Sequence, residues 1–193
     1  MGGPDWQTTS RCRACGNEAL LPVFDFGDMP LADRLEPRPD STSPAPRAPL
    51  ALLHCPACTL VQLSVSVSPA FLFDEHYPYY SSVSASLLAH FSDSAWRIIS
   101  EYGIGPGSLV VEAASNDGYM LRHFKAAGAD VLGFDPASGP ANVAIKAGID
   151  THISFFDIEA AHELVAAGKQ ADIFLANNVL AHVPDLTGFA EAI

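Results

Sequence analysis

Residues 109–122, LVVEAASNDGYMLR, constrain the fold more than any other stretch of the chain. Leu109, Val110 and Val111 form a short apolar run of the kind that fills a strand buried on both faces. The run stops at Glu112 and passes through Ala113, Ala114 and Ser115 into Asn116-Asp117-Gly118. A helical pattern follows, with Leu121 and Phe124 on one face and Gly128 placed to end it. Strand, tight turn and helix together present backbone N–H groups to a ligand. The G-x-G-x-x-G spacing is missing, so this is not the dinucleotide fingerprint. Instead one acid ends the strand and another sits in the turn. Two carboxylates suit a ligand bearing an ammonium and hydroxyls better than a pyrophosphate, which points toward S-adenosylmethionine (SAM). A plain α/β turn is the alternative reading.

Beyond this stretch strands and helices alternate, the signature of a parallel sheet. Residues 130–135 (DVLGFD) read as a strand, 140–147 as a helix closed by Gly148, and 149–155 as a third strand. Residues 158–167 read as a helix closed by Gly168, and 171–176 as a fourth strand. Asp185 is placed to cap a last helix. Asp135 stands at the tip of the second strand, 19 residues beyond Asn116. An acid at about this spacing accepts ribose hydroxyls in nucleoside sites; a helix N-cap before Pro136 is the other reading. Asn177, Asn178 and His182 follow the fourth strand, on the side where open α/β sheets bind ligands. They are candidates for the cleft where donor and acceptor meet, although His182 taken alone is equally a packed structural histidine.

Upstream lie the chain's four cysteines, as two C-x-x-C knuckles, Cys12/Cys15 and Cys55/Cys58, separated by the 39 residues 16–54. Two knuckles place four thiolates tetrahedrally around Zn²⁺ in a closed structural site. The competing reading is disulfides, disfavoured in a chain that opens on the polar MGGPDWQTTS and shows no secretion signal. Residues 11–67 read as a small β-rich zinc-binding module. Residues 21–32 start strand-like and end in a turn, strands are expected over 50–54 and 60–67, and 37–49, with five prolines, reads as a surface loop. Residues 1–10 read as a loose terminus. Residues 68–107 are an aromatic linker and a helix. The linker is dense in tyrosine and serine, and Leu87, Leu88, Phe91, Ala95, Ile98, Ile99 and Tyr102 then make one apolar stripe over 85–102. Residues 108–193 complete the picture as a SAM-binding, Rossmann-like α/β domain with fewer strands than such a sheet usually has. A net charge of −12 argues against nucleic-acid binding. No apolar run approaches the roughly 20 residues of a membrane span, and a soluble cytoplasmic protein is the default.

The residues resemble a known family at six places in order: C-R-A-C-G with F-D-F-G-D-M-P-L-A, C-P-A-C-T-L-V-Q-L, Y-P-Y-Y-S-S-V-S, V-E-A-A-S-N-D-G-Y-M-L, G-F-D-P-A and N-N-V-L-A-H-V-P-D-L. The chain is similar to the zinc-bearing, SAM-dependent C-methyltransferases of deoxysugar biosynthesis, which act on nucleotide-linked 4-keto-6-deoxyhexoses. It departs from their pattern at Thr59, where a glycine usually follows the second knuckle, and at Ala113-Ala114. The resemblance implies that Glu112, Asn116 and Asp117 hold the methionine end of SAM and Asp135 the ribose. By the same resemblance Phe155 and Phe156 border the adenine, and Tyr77, Tyr79 and His182 face a nucleotide-sugar substrate. Cys12, Cys15, Cys55 and Cys58 would hold a structural zinc. Family members carry a further C-terminal domain with glutamate–histidine and tyrosine elements that this sequence lacks. The expectation is therefore an N-terminal half that self-associates or works with a partner chain. Two rival readings are a non-catalytic zinc- and SAM-binding subunit and a nicotinamide-linked sugar oxidoreductase.

Overall fold

The computed structural model describes residues 6–35, 45–74 and 76–193. They divide into two units, one within 1–78 together with 184–187, the other comprising 79–183 and 188–193. Of the proline-rich loop expected at 37–49, residues 37–44 lie outside the described residues.

The first unit is all strand but for one short helix. Strands β1 (Trp6–Thr8), β2 (Leu21–Pro30), β3 (Arg47–His54), β4 (Val61–Leu63) and β5 (Val65–Val67) are followed by α1 (Pro69–Leu72). All pairings are antiparallel, in a three-stranded sheet of order β2-β3-β4 and a β1-β5 pair. Three expectations change here. The loose terminus contains β1, registered Trp6 to Val67. The single strand expected over 60–67 is two strands with different partners. Ser64 is the reason: its N–H donates to Ala51 O (2.9 Å), its hydroxyl accepts from Ala51 N (3.0 Å), and its carbonyl accepts from Thr9 N (2.7 Å). One residue thus hands the chain from one sheet to the other. Third, β3 begins inside the expected loop and includes Pro49, which pairs with Asp28 where β4 has not yet joined. A proline is tolerated there because no second ladder needs its missing N–H.

The second unit is the α/β domain expected from the alternation. A 3-10 turn (Ser81–Val83) leads into α2 (Ala85–Tyr102), capped by the Ser84 hydroxyl at one end and by Gly103 in the left-handed region at the other. Then come β6 (Leu109–Ala113), α3 (Leu121–Ala126), β7 (Asp130–Phe134), α4 (Ser138–Lys146), β8 (Thr151–His152), α5 (Ile158–Ala166), β9 (Ile173–Leu175) and α6 (Leu186–Ala192). The four strands are parallel in the order β8-β7-β6-β9. Counted from β6, that is 3-2-1-4, the doubly wound order, and the direction of winding reverses between β6 and β9.

Alternation along β6 sends Val110 into one apolar cluster, and Val111 and Ala113 into the other. Leu88, Phe91, Ile98 and Ile99 of α2 pack on the first cluster, beside Tyr119, Met120, Leu121 and Phe124. The third strand, expected over 149–155, is only Thr151–His152. Among the described residues no helix is long and apolar enough to cross a membrane.

Candidate functional site

The four cysteine sulfurs lie within 4.8 Å of one another, with Cys12 Sγ 3.5 Å from Cys58 Sγ and Cys15 Sγ 3.6 Å from Cys55 Sγ. A tetrahedron with Zn–S bonds of about 2.3 Å has S···S edges of about 3.8 Å, so the spacing fits. The two knuckles are built alike. Gly16 N donates to Cys12 O (2.9 Å) and Thr59 N to Cys55 O (2.8 Å), and both residues have positive φ, 74° and 66°. Buried Gln62 ties the first knuckle to β4: its Oε1 accepts from Arg13 N (2.9 Å) and its Nε2 donates to Arg11 O (3.1 Å). Burial pushes the Cys55 thiol up, but N–H donors from Cys58, Asn17 and Ala57 outweigh it and bring it to about 6. Four sulfurs this close repel as thiolates unless a cation sits among them, and four ligands leave no open position. The residues fit a structural zinc.

The second cluster forms where the strand order reverses. Glu112 near the end of β6 is flanked in register by Gly133 of β7 and Leu175 of β9, and it is fully buried. Its Oε1 accepts from Asn177 Nδ2 (3.0 Å) and from Tyr119 Oη (3.3 Å), while its Oε2 has no partner. Burial, aided by Asp135, pushes its carboxyl up to about 8 against the lowering effect of those two donors.

The turn after β6 is contorted. Ala114 (φ 53°) and Asn116 (φ 50°) both occupy the left-handed region that non-glycine residues rarely adopt. The turn is held from β7: Ser115 N donates to Phe134 O (3.1 Å), and Asn116 N to Asp135 Oδ2 (2.8 Å). Asp135 Oδ1 accepts from Ala137 N (2.9 Å). Each Asp135 oxygen therefore holds one backbone N–H and keeps a lone pair. Its carboxyl is raised to about 6, chiefly by burial, with Asp117 adding to the effect.

Three acids, Glu112, Asp117 and Asp135, thus stand 0–5% exposed at the sheet's C-terminal edge. None is ion-paired to a described cationic side chain. Glu112 Oε2 and Asp117 Oδ1 are buried acceptors with no donor, and the Ser115 hydroxyl is buried with no partner. Such groups cost free energy unless a donor arrives, and around an anionic cluster the fitting donor is an ammonium.

The other expected residues fall as follows. Asn116 is inside the cluster, but its amide engages the backbone of 79–81. Asn177 is inside and bonds Glu112. Asn178 (φ 55°) and His182, in a 3-10 turn (Leu180–His182), are exposed on the segment after β9. Phe155 is 39% exposed. Phe156, expected beside adenine, is 9% exposed and packs among Phe134, Phe174 and Phe189 in the second apolar cluster. Tyr77 belongs to the first unit, where its ring meets Phe73 edge-on. Tyr79 belongs to the second unit and is 43% exposed. Sequence reasoning missed Tyr119 and Ser115 as parts of the site and Gln62 as a brace; only their place inside the quoted motifs signalled them.

Residues 12–73 match the family described as "Putative zinc binding domain". C-methyltransferase NovU of Streptomyces niveus is 34% identical over 175 residues, which cover 91% of this chain and 41% of that protein. The chain thus spans about two fifths of that curated relative. Among solved structures, magnesium protoporphyrin IX methyltransferase (ChlM) from Synechocystis PCC 6803 with bound SAH aligns at TM-score 0.42 and 16% identity, covering 57% of each chain. The same enzyme with bound SAM aligns at TM-score 0.36 and 18% identity, over 54% of this chain and 51% of that one.

Proposed function

We propose that this chain carries the methyl-donor site of a SAM-dependent C-methyltransferase acting on a nucleotide-linked 4-keto-6-deoxysugar. The observation that carries the reading is the buried trio of acids with two unpartnered carboxylate oxygens and no cation. It lies at the reversal point of a doubly wound sheet, in a chain similar to a C-methyltransferase. Glu112 Oε2 and Asp117 Oδ1 take the amino group of the donor, and the free lone pairs of Asp135 take ribose hydroxyls. Phe155, the exposed member of its pair, borders the adenine.

SAM, when bound, supplies an electrophilic methyl group on a sulfonium. The acids on this chain fix its cationic end and keep water away from it. Asn177, bonded to Glu112, links that donor site to the segment carrying Asn178 and His182. With Tyr79, these residues face the acceptor. The transfer makes a C–C bond at the carbon next to the ketone, after a base removes that carbon's proton, and cleaves the donor's C–S bond. The zinc holds the N-terminal module and takes no part in the chemistry, since four thiolates close its coordination sphere.

Calorimetric titration of S-adenosylhomocysteine and, separately, NAD into the zinc-loaded chain tests the reading. Saturable binding of S-adenosylhomocysteine that weakens at least about tenfold in Asp135→Asn, a loss of about 1.4 kcal/mol, is the expected result. Binding of NAD with none of S-adenosylhomocysteine would replace it with the oxidoreductase reading.

A further inference from the structure

We propose that Asn116 and Asp117 are positioning residues that strap residues 79–82 across the turn after β6, so that strap and bound donor hold each other in place. This rests on reading that turn as the donor site. Asn116 spends both ends of its amide on the strap: Oδ1 accepts from Ser81 N (2.8 Å) and Nδ2 donates to Tyr79 O (3.2 Å). Asp117 Oδ2 accepts from Ser82 N (3.2 Å). Three side-chain bonds thus join two segments 35 to 37 residues apart in sequence, and all of them end on main-chain atoms of the strap. Any residue but proline at 81 and 82 would offer the same main-chain N–H groups. What is fixed is the path of the chain.

Two further features show that the strap closes over the turn. Turn residues at the end of a sheet are ordinarily wet, yet Asn116 and Asp117 are 6% and 3% exposed, and their partner Ser81 is 8% exposed. Asn116 also holds φ 50°, a conformation in which asparagine is among the few tolerated side chains. That twist is maintained from the other side by Asp135.

The coupling to the donor lies in the Asp117 carboxylate. Its Oδ2 holds Ser82, while its Oδ1 is buried and unpartnered. A carboxylate is rigid and planar, so an ammonium bound to Oδ1 fixes the rotation that keeps Oδ2 on the strap. By reciprocity, a closed strap stiffens the site for the ammonium. Tyr79 gains from the same bonds. Its carbonyl is pinned to Asn116 Nδ2 while its ring stays part-exposed. The strap thus holds the main chain of Tyr79 against the turn that carries Asn116 and Asp117.

The test uses the full zinc-loaded chain with S-adenosylhomocysteine as probe. Ser81→Pro deletes the N–H given to Asn116 and leaves both turn side chains intact. Position 81 opens a 3-10 turn after an extended Tyr80 (φ −120°, ψ 125°), a place that accepts proline. Asn116→Ala removes the strap's anchor from the other side. In the ligand-free wild type the Ser81 and Ser82 amides should exchange slowly with deuterium, more slowly still with ligand, and about tenfold faster in Asn116→Ala. Ser81→Pro should raise the ligand's dissociation rate about tenfold, which is about 1.4 kcal/mol, and leave its association rate unchanged. Free exchange of both amides in the wild type overturns the strap. So does a normal dissociation rate in Ser81→Pro beside weakened binding in Asn116→Ala, since Asn116 would then act on the ligand directly. A wild type that does not bind the probe at all defeats the donor reading, and the ligand-free exchange of the two amides still decides the strap.

Discussion

Thr59 holds φ 66° just after the second knuckle, the place Gly16 fills at 74° after the first. A β-branched residue there is strained by about 1–2 kcal/mol, part of which a glycine would return as unfolded-state entropy. Thr59→Gly should therefore stabilise the zinc-loaded protein by about 0.5–1 kcal/mol, read as a higher denaturant midpoint at unchanged slope; a lower midpoint would show the twist is not strained. Glu112 makes a prediction with a definite sign. Burial raises its carboxyl from the ordinary 4.5 to about 8. Between those values the folded protein holds a proton that the unfolded chain has lost. The stability contributed by Glu112 is thus complete below about pH 4.5 and is lost as pH rises toward 8, at up to about 1.4 kcal/mol per pH unit. Asp135, raised from 3.8 to about 6, acts in the same direction over the lower part of that window. Denaturant unfolding of wild type and Glu112→Gln from pH 5 to 8 checks this: the two should diverge as pH rises, the variant losing less. An ammonium ligand reverses the balance, because it requires the ionised carboxylate. S-adenosylhomocysteine should bind up to about tenfold more tightly per pH unit below 8 and level off above it, with proton release visible as a buffer-dependent binding enthalpy.

At the level of elements, the close fit of β6 to β7 sets how the turn is shaped. A Cβ on Gly133 would lie 2.3 Å from Ser115 Oγ and 2.9 Å from Ser115 Cβ, so only glycine lets Ser115 tuck under β7 with its hydroxyl buried. Gly133→Ala should cost about 1–3 kcal/mol. Adding Ser115→Ala, which removes the nearer atom, should recover part of that loss, a non-additivity measurable in a double-mutant cycle. Strict additivity would mean the two do not touch. The β6 and β7 boundaries and α2 were legible because their patterns are local: apolar runs ending in acids, and an apolar stripe at helical spacing over 85–102. What escaped the sequence depends on partners. The run 60–67 looks like one strand, and only the doubled bonding of Ser64 to Ala51 and Thr9 divides it. Phe155 and Phe156 are indistinguishable in sequence until the aromatic cluster claims the second. Glu112 and Asp135 were visible as acids at strand ends, but the use of Asn116 as an anchor for residues 79–81 was not, because nothing local ties a turn to a segment 35 residues upstream.

Across the molecule the two units are stabilised by different means. The second contains two apolar clusters that sandwich a parallel sheet. The first buries few apolar side chains among its described residues, Cys12, Ala48, Cys55 and Val65, two of which are metal ligands. Every residue of β2 is exposed, including Phe24 at 57% and Phe26 at 45%. A β-module with so little core depends on its metal for the free energy that packing does not provide. Chelation of the zinc should therefore unfold the first unit alone. In deuterium exchange, peptides from 12–67 should lose protection, while those from β6 through β9 keep theirs and S-adenosylhomocysteine binding persists. Cys55→Ser should do the same without chelator, and acid should do it reversibly, because each thiolate must take up a proton as the metal leaves. The alternative is one cooperative transition in which β6 peptides exchange as soon as zinc is withdrawn. That result would mean the α/β unit draws its stability from the zinc module and not from its own two clusters.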